Sequence, residues 1–440
     1  MDSKQFIVAI EIGSSHVAGT AAAFDSVTRD VKELCYFEEP LLDCVKYGSI
    51  VNVDEMASKI NIIVNRIEKH ERVSPRKISS VYIGVDARSM HSEKVVIERE
   101  INEDFPITET QIDGILREAE SKFADCCILK TYATLYEIDG TEVVNPVGAV
   151  GSNLKAVINV IVCRQQISKN INLLLNRCGL KLAGLVCVPF ATTNIVLDNE
   201  EKRLGSVLVD WGADTTSVSI VKNNKLEYLN VLPMGSRNIT RDLASLKILE
   251  DNAEKIKKTF GITPVDNIPD MNIAGVRSID VVNYIKTRVG EIVANIQNQI
   301  SVSGFTTDQL PKGIVLTGRG AKLSGLVEFI SQTLQMPVRL GYVQGSPSRQ
   351  DYTDRLQSLA ILDETSERMT AFDTCLFMPE MPEYEEPQDK EPVVIEEEPE
   401  PKRKEEPKKP TRRGIFGSIG AYFTNAINAA TGNDSSEDDE

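Results

Sequence analysis

The chain has 440 residues, of which 41% are apolar and 26% are charged, and its formal net charge is −16 at pH 7. This composition predicts a globular protein with one large bilobed core or several domains, and the acidic balance argues against broad nucleic-acid binding. The sequence has no run of about 18 apolar residues, so no transmembrane helix is predicted, and the polar start followed by a strand pattern does not resemble a signal peptide.

The first element is an apolar strand that ends in a glycine turn. Residues 7–15 read Ile-Val-Ala-Ile-Glu-Ile-Gly-Ser-Ser, which predicts a buried strand with Glu11 at its end, followed by a turn at Gly13. Glycine allows a close approach of the main chain, and exposed N–H groups together with the hydroxyls of Ser14 and Ser15 suit phosphate oxygens. The carboxylate of Glu11 would then hold a hydrated Mg²⁺ ion.

The rest of the first half alternates strands and helices. The predicted strands cover residues 6–12, 18–24, 78–84, 94–100, 129–138, 154–163 and 184–188. The predicted helices cover residues 53–68, 108–123 and 167–178. Thr108 and Gln111 have the spacing of a capping box, which predicts that the second of these helices begins after Thr108.

The second half opens with a copy of the first turn. Residues 207–216 read Val-Leu-Val-Asp-Trp-Gly-Ala-Asp-Thr-Thr, so Asp210 and Gly212 repeat the acid and the glycine, and Thr215 and Thr216 supply the hydroxyls. A single strand that ends in an acid followed by a glycine more often leads into an ordinary tight turn, whereas two copies of this pattern favour a phosphate site. A third strand and turn, at Gly318-Arg-Gly320, would hold the sugar and base of a nucleotide.

Three further stretches carry a resemblance to a known family. They are residues 145–154 (Asn-Pro-Val-Gly-Ala-Val-Gly-Ser-Asn-Leu), residues 232–244 (Leu-Pro-Met-Gly-Ser-Arg-Asn-Ile-Thr-Arg-Asp-Leu-Ala) and residues 253–257 (Ala-Glu-Lys-Ile-Lys) before Phe260-Gly261. With the paired turns, these stretches make residues 5–365 resemble the actin-like and Hsp70-like ATPases, and in particular the FtsA family of bacterial cell-division proteins. The resemblance implies an α/β, actin-like (ribonuclease H-like) two-lobed ATPase fold with an inserted subdomain called 1C.

The resemblance also implies a division of the chain. The expected segments are lobe 1 at residues 1–85 and 167–204, subdomain 1C at 86–166, lobe 2 at 205–239 and 312–373, subdomain 2B at 240–311, a disordered linker at 374–413, an amphipathic helix at 414–432 and an acidic tail at 433–440.

ATP and Mg²⁺ are the implied ligands, with Glu11 and Asp210 holding the ion through water. The implied nucleotide-binding residues are Glu11, Gly13, Ser14, Ser15, His16, Asp210, Gly212, Asp214, Thr215, Thr216, Gly235, Glu254, Lys257, Gly318, Arg319 and Gly320.

Several positions depart from the family pattern. His16 stands where lysine is common, Ala213 and Asp214 replace a stretch richer in glycine, and Arg319 stands where glycine is usual. Arg319 either stacks on adenine or points into solvent. Val188 stands where many hydrolysing relatives have an acid or glutamine that orients water, so we expect slow or negligible hydrolysis and the sequence leaves the catalytic residue unknown.

The end of the chain changes character. Residues 379–413 are rich in proline and charge, which predicts a disordered linker. Beyond it, large apolar side chains at steps of three and four form one helical face, namely Ile415, Phe416, Ile419, Tyr422, Phe423 and Ile427. This face packs either on protein or on a membrane surface. The long tether and the adjacent basic cluster favour the membrane.

One helical pair suggests a partner. Arg288 and Glu291 lie three residues apart in a predicted helix at residues 281–300. By spacing alone they are an ordinary ion pair. The resemblance instead implies a docking site for the C-terminal tail of the tubulin-like division protein FtsZ.

These patterns, together with what the resemblance implies, predict an ATP-binding membrane adaptor of cell division. It would tether FtsZ filaments, associate with itself into filaments and recruit further division proteins on the cytoplasmic side of the cell membrane at the division site. The alternatives are a small-molecule kinase of the same fold and a relative involved in pilus assembly or cell shape.

Overall fold

The computed structural model describes residues 4–273, 275–345, 354–369 and 374–379, which belong to one compact unit. None of the helices in these ranges is long and apolar enough to cross a membrane. The predicted amphipathic helix and acidic tail lie outside the described residues.

Twenty strands are described. They are β1 (Lys4–Ile12), β2 (His16–Asp25), β3 (Val31–Pro40), β4 (Val45–Lys46), β5 (Ser49–Ile50), β6 (Lys77–Ile78), β7 (Ser80–Val85), β8 (His91–Glu100), β9 (Cys126–Ile138), β10 (Thr141–Val143), β11 (Asn153–Arg164), β12 (Lys181–Cys187), β13 (Ser206–Trp211), β14 (Thr216–Lys222), β15 (Lys225–Leu232), β16 (Asn272–Ile273), β17 (Val276–Arg277), β18 (Ile314–Thr317), β19 (Val338–Leu340) and β20 (Leu376–Phe377).

Ten α-helices are described beside three short 3₁₀ helices at Val265–Asn267, Thr307–Gln309 and Arg319–Lys322. The α-helices are α1 (Val53–Lys69), α2 (Glu109–Ser121), α3 (Gln165–Cys178), α4 (Val188–Val196), α5 (Asn199–Leu204), α6 (Ser236–Ala244), α7 (Glu250–Phe260), α8 (Ser278–Val302), α9 (Leu326–Leu334) and α10 (Leu356–Arg368).

Lobe 1 is built on a five-stranded sheet in the order β12-β7-β1-β2-β3. Strands β1, β2 and β3 are antiparallel neighbours, whereas β1, β7 and β12 run parallel. Glu11 pairs with Gly84, and Gly84 pairs with Val186, so the carboxyl ends of three parallel strands meet at one edge of the sheet. Polar residues that follow these strands are therefore brought together.

Strands β8 to β11 and helix α2 share an apolar core beneath α2, whereas Leu129, Ile161 and Cys163 of the same strands belong to the larger core. The predicted capping box is confirmed, since Thr108 N donates to Gln111 Oε1 (2.8 Å) and Gln111 N donates to Thr108 Oγ1 (3.4 Å). Strands β8, β11 and β9 are long antiparallel neighbours, with β10 at the outer edge.

This inserted sheet continues into the sheet of lobe 2. Together they form nine strands in the order β10-β9-β11-β8-β15-β14-β13-β18-β19. The join is short, with His91 of β8 opposite Asn230 of β15. It is reinforced by an ion pair between Lys94 Nζ and Glu227 Oε2 (2.7 Å). The inserted segment thus interrupts lobe 1 in the sequence but pairs with lobe 2 in the structure.

Lobe 2 repeats the plan of lobe 1. Strands β13, β14 and β15 are antiparallel, and β13, β18 and β19 are parallel. The long helix α8 covers this sheet with an apolar face that includes Val282, Val289 and Ile296, all fully buried. The first turn follows β1 in lobe 1, and the second turn follows β13 in lobe 2. The two turns therefore lie at corresponding edges of the two sheets.

Two details correct the sequence predictions. The strand predicted at 184–188 ends at Cys187, because Pro189 in the first turn of α4 makes Val188 the first residue of that helix. Residues 374–379 were placed in the disordered linker, but Leu376–Phe377 pairs with β6, and Cys375 and Leu376 are buried. These apolar residues order the beginning of a segment whose later composition is polar.

Candidate functional site

A cleft of about 840 Å³ lies between the two lobes. It brings together most of the residues predicted for nucleotide binding, namely Glu11, Gly13, Ser14, Ser15, His16, Asp210, Gly212, Thr215, Glu254, Lys257, Gly318, Arg319 and Gly320. Residues from all three predicted turns therefore face one space.

The first two turns have the same geometry. Gly13 N donates to His16 O (3.0 Å), and Gly212 N donates to Thr215 O (2.9 Å). A Cβ atom at Gly13 would lie 3.0 Å from His16 O, and one at Gly212 would lie 2.9 Å from Thr215 O. Neither glycine has a positive φ angle, so close approach of the main chain is the reason for glycine at both places. Tight turns of this kind present N–H groups and hydroxyls to an anion.

The two acids are held by one helix that the sequence analysis did not predict. Ser358 Oγ donates to Glu11 Oε2 (2.7 Å), and Gln357 Nε2 donates to both oxygens of Asp210 (3.1 and 3.2 Å). Ser358 and Gln357 lie in the first turn of α10, which packs on β1. The start of α10 therefore fixes the carboxylates of both lobes side by side.

Burial affects the pKa values of the two carboxyls differently. Burial would raise the pKa of Glu11, but hydrogen bonds from His16 and Ser358 and the nearby positive charges bring it below its usual value. Burial raises the pKa of Asp210 to about 6 against the hydrogen bond from Gln357, and the charge of Glu11 adds to the increase. Glu11 is therefore the more readily ionised of the pair.

The positive charge near the turns comes from both lobes. His16 Nε2 lies 3.4 Å from Glu11 Oε1. Arg237, which sequence reasoning missed, donates through Nη1 to Asp214 Oδ2 (2.9 Å) and through Nη2 to the carbonyl oxygen of Ser14 (3.0 Å). The permanent charge absent at position 16 is thus supplied by Arg237, which spans the two turns.

Three predicted residues support the cleft without lining it. Asp214 is buried against Arg237, and Thr216 Oγ1 donates to Met234 O (2.8 Å). Gly235 packs against the second turn, where a Cβ atom would lie 2.5 Å from Ala213 O. These residues therefore support the second turn without contributing to the lining of the cleft.

A buried polar cluster lies on α6 and α7. Lys257 Nζ donates to Glu254 Oε2 (2.6 Å), Thr240 Oγ1 (3.0 Å) and Ser236 O (3.2 Å). Burial lowers the pKa of Lys257, although Glu254 opposes the change. The cluster offers both donors and acceptors to a polar ligand in the cleft.

The third turn closes another side of the cleft. Gly318 has φ 83°, and a Cβ atom there would lie 2.3 Å from Asp210 Oδ1, so only glycine fits. The predicted alternatives for Arg319 were stacking on adenine or pointing into solvent. In the structure its side chain pairs across the cleft with Glu38 of β3, and its buried Nε atom has no hydrogen-bond partner among the described residues.

Two features of the cleft concern hydrolysis. Val188 lines the cleft and is buried, so it supplies no polar group there. Asp86, at the end of β7, also lines the cleft, and its buried Oδ1 atom has no hydrogen-bond partner in the described part of the chain. Sequence reasoning missed Asp86 because no motif surrounds it.

The predicted docking pair lies elsewhere, on α8. Arg288 forms an ion pair with Glu291 and donates from Nε to Asp242 Oδ2 (2.6 Å) and from Nη2 to Asp242 Oδ1 (3.0 Å). Arg288 therefore also ties α8 to α6.

The cleft fits a nucleotide with a hydrated cation. It has two glycine turns, an arginine with a donor atom that has no partner among the described residues, and two adjacent carboxylates. Among the described residues no group of three or more His, Cys, Asp or Glu side chains is placed to hold a metal directly.

Comparison with known proteins gives matches over most of the chain. Residues 207–361 match the family model "Cell division protein FtsA", and residues 87–162 match "SHS2 domain inserted in FTSA". The cell division protein FtsA of Porphyromonas gingivalis is 30% identical over 371 residues, which cover 81% of this chain and 75% of that protein. The FtsA protein of Pseudomonas aeruginosa is 29% identical over 360 residues, covering 78% and 84%.

Among solved structures, the PilM-PilN type IV pilus biogenesis complex contains a chain with the same fold. The TM-score is 0.56 at 17% identity, covering 82% of this chain and 98% of that chain. Together with the family model for the insert, this likeness confirms the predicted actin-like fold with an inserted subdomain.

Proposed function

Because this chain belongs to the FtsA family of cell division proteins, we propose that it binds ATP with Mg²⁺ between its lobes and tethers FtsZ filaments to the cell membrane. A role in cell division follows from the family. The ligands, the partner and the membrane are the proposal.

The observation that carries the nucleotide site is the pair of equivalent turns on opposite walls of one cleft. Each turn follows a buried acid, and both acids are held by α10. Phosphate oxygens would bind the N–H groups and hydroxyls of the turns, with Arg237 adding charge. Mg²⁺ would neutralise the phosphates, and Glu11 and Asp210 would hold its water molecules. Glu254 and Lys257, which line the same cleft, would bind the sugar hydroxyls.

Two further surfaces would link this core to its partners. The pair Arg288 and Glu291 on α8 is the proposed contact for the C-terminal tail of FtsZ. The apolar face from Ile415 to Ile427 is the proposed membrane anchor, with the basic residues before it attracted to anionic lipid. A single such helix binds reversibly, so self-association into filaments would strengthen the attachment. The protein would then act at the division site on the cytoplasmic face of the membrane.

Substitution of Asp210 tests the nucleotide site. Wild-type protein with Mg²⁺ and ATP at about 100 times its Kd should gain about 2.7 kcal/mol of stability. Asp210→Ala should lose this gain, because the cation water and Gln357 both lose their acceptor. Thermal unfolding with and without ATP measures the effect, and Asp308→Ala, an exposed acid outside the cleft, is the control. Full ATP-dependent stabilisation of Asp210→Ala would contradict the assignment.

A further inference from the structure

Asp86 follows strand β7, and Val188 follows the neighbouring strand β12. Val188 stands where many hydrolysing relatives have an acid or glutamine. Glu11, Gly84 and Val186 lie side by side on three parallel strands. Asp86 and Val188 therefore leave neighbouring strands at the same edge of the sheet.

The surroundings of Asp86 suit a water molecule. Asp86 and Gly84 line both the main cleft and a recess of about 10 Å³ that lies between Gly48, Ile50 and Ile171. Apart from Asp86, the side chains of this recess are apolar, so a water molecule bound by Asp86 would lie on the side of the polar cleft. Oδ1 of Asp86 is buried and has no hydrogen-bond partner among the described residues, so its lone pairs are free to accept from such a molecule.

We propose that Asp86 is the catalytic base for hydrolysis of the terminal phosphoanhydride of a nucleoside triphosphate in the cleft, an inference that rests on the proposed nucleotide site. The Asp86 carboxylate takes a proton from water as the water oxygen forms a bond to the terminal phosphorus. The bond from that phosphorus to the bridging oxygen breaks, and the electron pair stays with the diphosphate. The proton then passes from Asp86 to the released phosphate or to solvent.

The charge environment agrees with this role. Burial raises the pKa of Asp86 to about 8, with additional contributions from the negative charges of Asp210 on β13 and Glu11 on β1. The thiol of Cys187, on the neighbouring strand β12, also lies close enough to sense the charge of Asp86. Burial therefore favours the protonated form of Asp86 in the nucleotide-free protein.

The test compares wild type, Asp86→Asn and the double variant Asp86→Asn with Val188→Asp in full-length protein. Loss of a general base lowers rates by about 10²- to 10⁴-fold. The rate of phosphate release by Asp86→Asn should therefore be lower than the wild-type rate by at least about 10²-fold. The affinity for a fluorescent ATP analogue should stay within a few-fold of the wild-type affinity. The double variant should recover part of the rate, because it returns a carboxylate to a neighbouring position in the lining of the cleft. Asp125→Asn, an exposed acid of the inserted segment, is the matched control.

Each outcome decides a different claim. Phosphate release by Asp86→Asn at the wild-type rate, with ATP bound, would overturn the role of Asp86 and leave the nucleotide site standing. Absence of phosphate release from ATP-bound wild type across pH 6–9 would overturn it too. Failure of wild type to bind ATP would refute the nucleotide site itself. Thermal unfolding of the nucleotide-free proteins across the same pH range gives a readout independent of turnover, and identical profiles for wild type and Asp86→Asn would contradict a buried, titrating Asp86.

Discussion

Asp86 should make the stability of the protein depend on pH. Its pKa is about 8 when folded, whereas an unfolded aspartate has a pKa of about 3.9. The folded state therefore holds this proton more tightly, and stability falls by about 1.4 kcal/mol per pH unit as the pH rises between these two values. Asparagine carries no charge, so Asp86→Asn should become progressively more stable than wild type over that window and keep a constant advantage above pH 8.

Thermal unfolding midpoints of both proteins at pH 5, 7 and 9, without nucleotide, measure this difference. A midpoint difference that does not grow with pH would show that Asp86 ionises as freely in the folded protein as in the unfolded chain.

Local patterns predicted some site residues and left others out. Glu11 and Asp210 were found because each precedes a glycine turn after an apolar strand. Gln357 and Ser358 were missed because their role depends on α10 reaching two strands that are far away in sequence. Asp86 and Arg237 were likewise brought to the cleft by sheet order and lobe packing. Short motifs carry no information about such long-range contacts.

Among the elements, helix α8 carries both a packing contact with another helix and the proposed docking site. Arg288 contributes to both, because it pairs with Asp242 on α6 as well as with Glu291. Glu291 is more exposed, with half of its side chain accessible. Substitution of Glu291 is therefore the cleaner test of the proposed FtsZ contact.

Glu291→Lys should weaken binding of the FtsZ C-terminal peptide by about tenfold, or about 1.4 kcal/mol, because it reverses the charge at the proposed contact. Fluorescence anisotropy with the labelled peptide measures the change. Asn298→Lys, which adds positive charge at an exposed position further along α8, should bind as wild type does. If Glu291→Lys keeps full affinity, the pair on α8 is an ordinary ion pair.

The elements that were predicted well are those whose apolar residues recur at the regular spacing of a helix or a strand. Helices α1, α2 and α3 and the strands predicted in the first half of the chain were found within a few residues, since their apolar residues follow one face. Strand β3 was not predicted, because its burial is mixed and charged residues interrupt it. Helix α10 was missed because polar residues such as Gln357, Ser358 and Glu364 turn inward to meet partners in other elements.

For the whole molecule, attachment to a membrane depends on the predicted helix near the C-terminus. Replacement of Phe416 and Phe423 with glutamate would put two charges on its apolar face, where burial costs several kcal/mol. Co-sedimentation with anionic vesicles should be lost, while ATP-dependent stabilisation of the core remains. Ser418→Glu with Thr424→Glu adds the same charge to the polar face and should keep most of the binding. Vesicle binding by the phenylalanine variant would make the tail a protein-docking helix instead.

The path of α10 connects the cleft to the inserted segment. Its first turn holds the acids of both lobes. Two turns later, buried Glu364 accepts from Lys130 Nζ of β9 (2.7 Å). A shift of the first turn by a ligand in the cleft would be carried along a rigid helix to the base of the insert. Helix α10 therefore contacts the acids of the cleft with its first turn and the inserted segment with its later turns.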